Sequence, residues 1–496
     1  MIEKLIILII AIAQIVSAQS RGSDLACFVD DKDRSTCIYT DVNNPFDLMR
    51  KFPDANNSQA VPIKRLKFYK CYMDYFFPQM FTLFPNLEEV IASGQYLTRL
   101  ERSDIGQTNS LRSLNVSYNR IHRLSGDVTS KAQKLENFDI SHNILERVLP
   151  DAFKYNINLK YINMSHNQIV SLDRKFFDEV RSAYILKLNN NKITDITGDF
   201  EHYVSTFVEL HLQNNFIVSI HPKLVKQALY LDLSLNKLTE LDLTTSLATE
   251  LKVVGNELKY LKIGRKLEKL DASENRFYMF KIECNPVGNE VTHLNLSYIK
   301  YSLNNEKLLI DFRKFQKLKV LDLSDNNLLN FDITDLAYGV SRTIQTLNFR
   351  NAHIKQLKNW EKIKFLLPNL REIDLFDNIF DCNELERMIP QLQKLNVTLP
   401  GYESENNQTF VSRSCTRFPR YTHLDEKSSI KVDHTVLIWC FIGIFLFGST
   451  ITGLVIINRK LKVFEKIYDA IKVNPYKPRG SKLLDEEKAN DTENSF

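Results

Sequence analysis

Several signatures of catalysis are missing from this chain, and glycine and histidine are scarce. Its 496 residues include only 14 glycines and 10 histidines, too little glycine for a collagen-like or linker-like protein. We find no metal-ligand spacing, no Gly-x-Ser-x-Gly nucleophile elbow and no phosphate-binding glycine loop, and the histidines are scattered singly. We therefore predict a protein that is not an enzyme and that uses no cofactor or metal.

The chain also lacks a dominant sign of charge. Its 65 basic and 60 acidic residues leave a formal net charge of +5, which is not the footprint of a nucleic-acid-binding protein. One small basic group, Arg65 and Lys67 beside Tyr69, is too limited to change this. We expect no nucleic-acid partner.

The N-terminus carries a short apolar run that indicates secretion. Leu5 to Val16 forms the apolar region, and Val16-Ser17-Ala18 fits the small-residue rule for signal peptidase. We predict that residues 1–18 are a signal peptide. An N-terminal membrane anchor is the alternative, but the run is too short to span a membrane comfortably.

A second apolar run lies near the C-terminus. Residues 436–457 contain no charge, and a helix of this length crosses the roughly 30 Å hydrocarbon core. Basic residues follow it directly, which places that flank in the cytoplasm. A glycolipid-anchor signal is disfavoured because the polar tail 458–496 follows the run. We predict a plasma-membrane protein that crosses once, with its N-terminus outside.

Between these two runs, one eleven-residue phrase recurs, Leu-x-x-Leu-x-Leu-x-x-Asn-x-Leu. Six successive copies, starting from Leu87 to Phe207, are 24 residues apart, and about 14 copies fill residues 63–381. Clear examples are LRSLNVSYNRI, LENFDISHNIL, LKYINMSHNQI, FVELHLQNNFI, ALYLDLSLNKL and LKVLDLSDNNL. Such a spacing would not persist by chance over 300 residues.

Each phrase predicts a short strand with inward leucines, followed by an Asn whose amide satisfies backbone groups inside the turn. One phrase cannot bury its own apolar face, so stacking is required. We predict an α/β solenoid with a parallel sheet on its concave side. Cysteines close to its ends can close caps: Cys27 and Cys37 in the N-terminal cap 19–62, and Cys382 and Cys415 in the C-terminal cap 382–415.

With this phrase and these flanking cysteines, the chain resembles the extracellular leucine-rich repeat receptors of animals, a class that includes Toll-receptor ectodomains and leucine-rich adhesion proteins. The architecture is similar to the transmembrane subgroup of insect leucine-rich repeat immune proteins. The resemblance implies a horseshoe of about 14 repeats, joined by a linker at 416–435 to one transmembrane helix. Two features depart from the class. No Toll-type signalling domain follows the helix, and the C-terminal cap has two cysteines where many relatives have four.

Two further cysteines lie within the repeats. Cys71 occupies the Asn slot of its phrase, which predicts a buried thiol. Cys284 lies on the connecting side of its repeat, where a shielded thiol is favoured over a disulfide to another chain. We keep Cys284 as a candidate intermolecular cysteine.

Six Asn-x-Ser/Thr sequons precede the membrane run and predict glycosylation. They are Asn56, Asn115, Asn163, Asn295, Asn396 and Asn407. The period-two alternation of strands places Asn115, Asn163 and Asn295 on the concave face. The alternative is that Asn suits this strand position and the serine completes a sequon by accident, so occupancy is left open.

Residues 183–254 lack sequons and carry a varied set of outward side chains on the concave face. This set, our candidate ligand-binding site, comprises Lys187, Glu209, His211, Tyr230, Asp232 and Lys252. Charges, an aromatic ring and a histidine on a rigid sheet are typical of a protein-binding surface. A merely solvated strand face is the alternative.

The 39-residue tail is too small for a kinase or Toll-type domain. Tyr468-Asp-Ala-Ile471 matches a tyrosine sorting signal in form. Signalling would therefore require a cytoplasmic adaptor or a co-receptor.

These features predict a recognition receptor or co-receptor that binds an extracellular protein or glycan ligand, with a role in innate immunity. An adhesion molecule without signalling is the alternative. A third class, presentation of a secreted partner through a disulfide, would require Cys284. The sequence leaves dimerisation open.

Overall fold

A computed structural model describes residues 28–30, 32–40, 63–180, 182–200, 207–277, 282–284, 289–299, 311–401 and 415–416. The chain divides into two units, Met1–Phe418 and Pro419–Phe496, and all these residues belong to the first. The predicted signal peptide, Cys27, the sequons at Asn56 and Asn407, the membrane run 436–457 and the tail lie outside them. Within the described ranges, no helix has the length and apolarity needed to cross a membrane.

The described residues form 27 strands, most of them only two or three residues long. In chain order they are β1 (Phe28–Val29), β2 (Thr36–Thr40), β3 (Arg65–Tyr69), β4 (Glu89–Ile91), β5 (Ser113–Asn115), β6 (Arg123–Leu124), β7 (Asn137–Asp139), β8 (Arg147–Val148), β9 (Tyr161–Asn163), β10 (Ser171–Asp173), β11 (Ile185–Lys187), β12 (Asp195–Thr197), β13 (Glu209–His211), β14 (Tyr230–Asp232), β15 (Glu240–Asp242), β16 (Glu250–Lys252), β17 (Tyr260–Ile263), β18 (Lys269–Asp271), β19 (Ile282–Cys284), β20 (His293–Asn295), β21 (Val320–Asp322), β22 (Asn330–Asp332), β23 (Thr346–Asn348), β24 (Gln356–Lys358), β25 (Glu372–Asp374), β26 (Phe380–Asp381) and β27 (Cys415–Thr416).

Helices are few and short in the same residues. They are α1 (Pro78–Leu83), α2 (Arg174–Glu179), α3 (Thr334–Val340), α4 (Ile363–Leu366) and α5 (Cys382–Lys394), with 3-10 turns at Phe312–Lys314 and Trp360–Lys362. Only α5 exceeds two turns. The fold therefore rests on stacked strands, because such short helices are not stable by themselves.

Sixteen strands form one main sheet in the order β1-β2-β3-β4-β5-β7-β9-β11-β13-β14-β16-β18-β20-β21-β23-β25. Its pairs are parallel except for β1 with β2. Each of the predicted phrases contributes one strand, and the buried central residues pair in register, as Leu114 pairs with Phe138 and Phe138 with Ile162. The predicted solenoid of stacked parallel strands is confirmed. The repeat count and the caps remain predictions.

Small second sheets are formed by strands that follow some of the main strands. They pair β6 with β8, β10 with β12, β15 with β17 and β19, β22 with β24, and β26 with β27. Cys284 lies in β19, where it pairs with Ile263 of β17. The candidate intermolecular cysteine therefore belongs to a second sheet and not to the main one.

A run of phenylalanines fills the space between the main sheet and the connecting segments. Phe153 packs edge-on against Phe138 at 5.4 Å between ring centroids and against Phe176 at 6.2 Å. Phe176 then contacts Phe177 at 5.2 Å, and Phe177 contacts Phe207 at 6.4 Å. All five side chains are buried. This geometry suits aromatic pairs and ties successive repeats together.

A ladder of buried asparagines runs through the turns that follow the main strands. Its members are Asn119, Asn143, Asn167, Asn191, Asn215, Asn236, Asn256, Asn275, Asn326 and Asn378. Asn143 Nδ2 donates to the carbonyls of Val116 at 3.0 Å and Ile140 at 3.1 Å, and its Oδ1 accepts from the N–H of Ile121 at 2.9 Å. The amide thus satisfies backbone groups of two repeats, as the phrase predicts.

Four phrases have another residue in the Asn slot. Gln95 performs the same task, since its Oε1 accepts from the N–H of Cys71 at 2.6 Å. Cys71 is fully buried, and its Sγ lies 3.6 Å from the carbonyl oxygen of Tyr39. The predicted burial of Cys71 is confirmed. Ile299 and Ala352 fill the slot with apolar side chains.

Disulfide bonds are present at both ends of the solenoid. Cys37 in β2 and Cys382 at the start of α5 are each disulfide-bonded. The pairings with Cys27 and Cys415 remain predictions, because those two side chains are not among those that the structure describes. Asp381 caps the N-terminus of α5, since its carboxylate accepts from the N–H groups of Asn383 and Glu384, and the helix buries an apolar face at this end.

Candidate ligand-binding surface

The six side chains predicted to bind a ligand lie on one face of the main sheet. They fall into two columns because each three-residue strand buries its central leucine and turns both neighbours outward. Glu209 pairs with Tyr230, while Lys187, His211, Asp232 and Lys252 follow one another in the second column. We call these six residues the central patch. Asp232 is buried and the others are half-buried.

Five members of the central patch form one contact network. The His211 Nε2 and Glu209 Oε2 atoms are 3.3 Å apart, and the His211 ring centroid lies 5.0 Å from that of Tyr230. The Tyr230 hydroxyl donates to Asp232 Oδ2 at 3.4 Å. Lys252 Nζ lies 5.4 Å from the centre of the Tyr230 ring. Tyr230 therefore contacts three other members of the patch.

The sixth member, Lys187, turns to a different neighbour. Its Nζ lies 5.4 Å from the centre of the Tyr161 ring on the preceding strand. Glu250 is closer to the network, with Oε1 3.7 Å from Lys252 Nζ and Oε2 3.5 Å from Lys269 Nζ. The contact network therefore extends toward β18, beyond the predicted residues.

The electrostatics keep the Tyr230 hydroxyl neutral and the Lys252 ammonium charged at neutral pH. Burial and the charge of Asp232 raise the pKa of the Tyr230 hydroxyl. Burial opposes the charged form of Lys252, but hydrogen bonding to Tyr230 and the charges of Glu250 and Asp232 outweigh it and raise the pKa of the ammonium. The patch can therefore offer a neutral hydroxyl, an ammonium and carboxylates to a ligand.

An exposed apolar strip borders the central patch. Tyr184, Val208 and Leu229 are all exposed, and each directly precedes one of the strands β11, β13 and β14. We call these three residues the apolar edge. Sequence analysis missed it because only strand positions were considered, although the same position before successive strands carries the signal. In earlier repeats that position holds Arg112, Glu136 and Lys160 as ion pairs.

The three sequon asparagines on the sheet face form the same kind of turn as aspartates at the equivalent position of neighbouring repeats. Asn115 Oδ1 accepts from the backbone N–H of Ser117 at 3.0 Å and from its hydroxyl at 2.7 Å. Asp139 makes the same two bonds with Ser141 at 2.9 and 2.7 Å. Asn163 and Asn295 also accept from the N–H two residues later. Asn-x-Ser and Asp-x-Ser are therefore interchangeable forms of one turn.

The choice between Asn and Asp follows the neighbouring strands. Asp139 pairs with Asn115 on one side and Asn163 on the other, and Asn163 Nδ2 donates to Asp139 Oδ2 at 3.2 Å. Asn295 lies between two aspartates of β18 and β21. Asn thus separates carboxylates that would repel one another. Glycan occupancy at these sites remains a prediction.

The sequon at Asn396 has a different setting. Asn396 is exposed and follows α5 in the left-handed conformation, with φ of 54°. This is a common way to end a helix. Its amide lies outside the main sheet, so a glycan there would leave the central patch uncovered.

Two parts of the repeat region match known protein families. Residues 133–193 match a family described as leucine-rich repeat, and residues 317–338 match a second one of the same description. With the stacked parallel strands, these matches are consistent with a leucine-rich repeat fold. Such folds are typically non-enzymatic binding scaffolds. A search of curated proteins found no match.

Solved structures share this fold at low sequence identity. The APL1 leucine-rich repeat domain is 18% identical, with 72% of this chain and 90% of that chain covered and a TM-score of 0.52. A leucine-rich repeat protein of Leptospira interrogans is also 18% identical, with 68% and 89% covered and a TM-score of 0.50. TLR13 in its complex with ssRNA13 is 17% identical, with 73% and 56% covered and a TM-score of 0.51.

Proposed function

We propose that the chain is a single-pass plasma-membrane glycoprotein whose repeats bind an extracellular protein or glycan ligand. In this role it is a recognition receptor or co-receptor in innate immunity. The apolar runs at 5–16 and 436–457 support the topology, and the resemblance to Toll-receptor ectodomains and insect immune repeat proteins supports the immune role.

One observation carries the binding proposal: the central patch spans four adjacent strands, β11, β13, β14 and β16, and the apolar edge lies directly before the first three of them. Apolar and tyrosine side chains supply contact area, and the charged side chains supply specificity. Lys252 is paired with Glu250, and the patch also contains Glu209 and Asp232, so carboxylates accompany the basic side chains of this surface. TLR13 forms a complex with ssRNA13, but a balanced patch of this kind suits a protein or glycan better than a nucleic acid.

Binding is tested with the full-length chain displayed on cultured cells and probed with a panel of secreted proteins and glycans. For any probe that binds, we expect Tyr230→Ala and Leu229→Asp to weaken binding about tenfold or more. Tyr338→Ala is the matched control, because that tyrosine is exposed on α3, away from the main sheet. Equal loss in the control variant would refute the assignment of this surface.

Adhesion without signalling is the alternative function, and the same resemblance supports it. Deletion of residues 463–496 separates the two. If the chain is a receptor that signals through adaptors, the deletion abolishes the ligand-dependent response. If the chain only adheres, cells that express either form aggregate equally and no response depends on the tail.

A further inference from the structure

A column of exposed and half-buried residues runs along the rim of the main sheet, one from each repeat. Each member directly precedes the Asn slot and has the left-handed backbone conformation. We call the N-terminal part of this set the rim column. It consists of Lys70, Gly94, Tyr118, His142, His166, Asn190 and Asn214, with φ between 52° and 71°.

Most neighbouring members of the rim column contact each other. The Tyr118 and His142 rings stack at 4.0 Å between centroids and 7° between planes, and His142 and His166 stack at 4.1 Å and 10°. Asn190 Nδ2 lies 3.1 Å from His166 Nε2, and Asn214 Nδ2 donates to Asn190 Oδ1 at 2.6 Å. The column is a ladder of planar groups about one ring thickness apart.

Gly94 leaves one position of this ladder empty. A Cβ built there would meet only the Tyr118 carbonyl oxygen, at 3.9 Å. The Tyr118 side chain is 60% exposed. The backbone does not require glycine here, since Tyr118, His142 and Asn190 adopt similar positive φ values. The vacancy next to Tyr118 is therefore a feature of the surface and not a necessity of the turn.

Aromatic and cationic side chains surround the vacant position. In the parallel column that follows the Asn slot, Tyr72 and Tyr96 stack at 4.8 Å, and Arg120 Cζ lies 4.8 Å from the centre of the Tyr96 ring. Lys70 Nζ lies 5.3 Å from the centre of the Tyr69 ring. All of these tyrosines are exposed. Tyrosine and arginine are the residues most enriched at binding hot spots.

The charges around this position are unbalanced. Lys67, Lys70 and Arg120 form no ion pair with any carboxylate that the structure describes, whereas the nearby Glu89 is already paired with Arg65 at 3.2 Å. The aromatic group therefore presents an excess of positive charge. A partner that carries carboxylates next to a ring would complement both features.

We propose that the vacant position at Gly94 binds an aromatic side chain from an acidic segment of a protein partner. The partner's ring stacks on the open face of Tyr118 and takes the place that a side chain fills in the following repeats. Its carboxylates lie against Lys67, Lys70 and Arg120. The site is separate from the central patch, and it stands whether or not that patch binds a ligand.

The probe is an acidic nonapeptide with one central tryptophan and a fluorescent label at one end, and its binding to the purified full-length chain is measured by the anisotropy of the label. We expect saturable binding with a Kd at or below about 1 mM. Replacing the tryptophan by alanine, or substituting Gly94→Asn to fill the position, should weaken binding about tenfold. Gly255→Asn is the control at the equivalent position of a later repeat, with φ of 65°; a Cβ there meets the end of the exposed Leu235 side chain at 2.6 Å, which can move aside, and binding should be unchanged.

Tyr118→Ala provides a second variant if Gly94→Asn fails to fold, and it should cause the same loss. Three results would overturn the proposal: no saturable binding, equal binding by the Gly94→Asn and Tyr118→Ala proteins, or equal binding of the peptide without its ring. Adenosine monophosphate is tested in parallel, because it is also planar and anionic. Binding of the nucleotide without binding of the peptide would likewise overturn it.

Discussion

The side-chain Oδ1 of Asn215 accepts a hydrogen bond from the backbone N–H of Ile193, 22 residues earlier, at 3.0 Å. Its Nδ2 donates to the carbonyls of Leu188 and Leu212, each at 3.0 Å. One buried amide therefore joins two repeats, and its removal leaves backbone groups of both without partners.

Asn215→Ala should destabilise the solenoid by about 2–4 kcal/mol, because each buried polar group left unsatisfied costs about 1–3 kcal/mol. Urea denaturation measures the change. Asn158→Ala is the control, since that amide is exposed and donates only to the Gln133 carbonyl. It should cost under about 0.5 kcal/mol. Similar losses in both proteins would contradict the role of the ladder.

Asn295→Asp tests the alternation of Asn and Asp on the sheet face. The new carboxylate would lie in register between Asp271 and Asp322, and like charges opposite one another cost roughly 0.2–1 kcal/mol per pair. We expect about 0.5–2 kcal/mol of destabilisation at pH 7 that shrinks near pH 4. Ser297→Ala removes the same sequon without adding charge and serves as the control. A loss independent of pH would argue against repulsion.

His142 should make stability depend on pH. Burial lowers the pKa of this imidazole, repulsion from His166 adds to the effect, and Asp139 opposes it. The unfolded chain therefore binds the proton more readily, so the free energy of unfolding falls as the pH drops below the ordinary histidine value of about 6.5. Thermal unfolding at pH 7.5 and pH 5.5 checks this.

The His142→Asn protein should lose less stability over that interval than the parent. Asn is suited to the position because Asn190, at the equivalent position two repeats later, adopts the same left-handed conformation. His353→Asn controls for the backbone, since His353 is also left-handed, with φ of 52°. If the His142→Asn protein keeps the full pH dependence, another group is responsible.

Phe176→Ala tests the phenylalanine core. The ring is fully buried between Phe153 and Phe177, and loss of a buried phenylalanine costs about 3–5 kcal/mol. Phe365→Ala is the matched control, because that ring is 86% exposed, and it should be nearly neutral. Denaturant unfolding of both variants measures the difference. Equal stability of the two would contradict the packing described.

The sequence predicts the repeated part of this fold well because one phrase carries both the strand and its turn. The buried leucines at Leu114 and Leu210 and the amides at Asn143 and Asn215 all lie where the phrase places them. The reason is local: each repeat packs only on its neighbours, so one phrase determines the next.

The surface is less predictable from the phrase. Outward positions such as Tyr230 and Lys252 follow from strand alternation, but the turn of Lys187 toward Tyr161 depends on side-chain contacts between strands. The vacancy at Gly94 depends on the residues one repeat away on either side. Such relationships appear only when equivalent positions of successive repeats are placed side by side.

The membrane topology is the central claim, and tag accessibility on living cells tests it most directly. One epitope tag is inserted after Ala18 and another at the C-terminus of the full-length chain. We predict that intact cells stain for the first tag only, that permeabilised cells stain for both, and that glycosidase treatment lowers the apparent mass. Staining of neither tag before permeabilisation, with no change in mass, would contradict a cell-surface receptor.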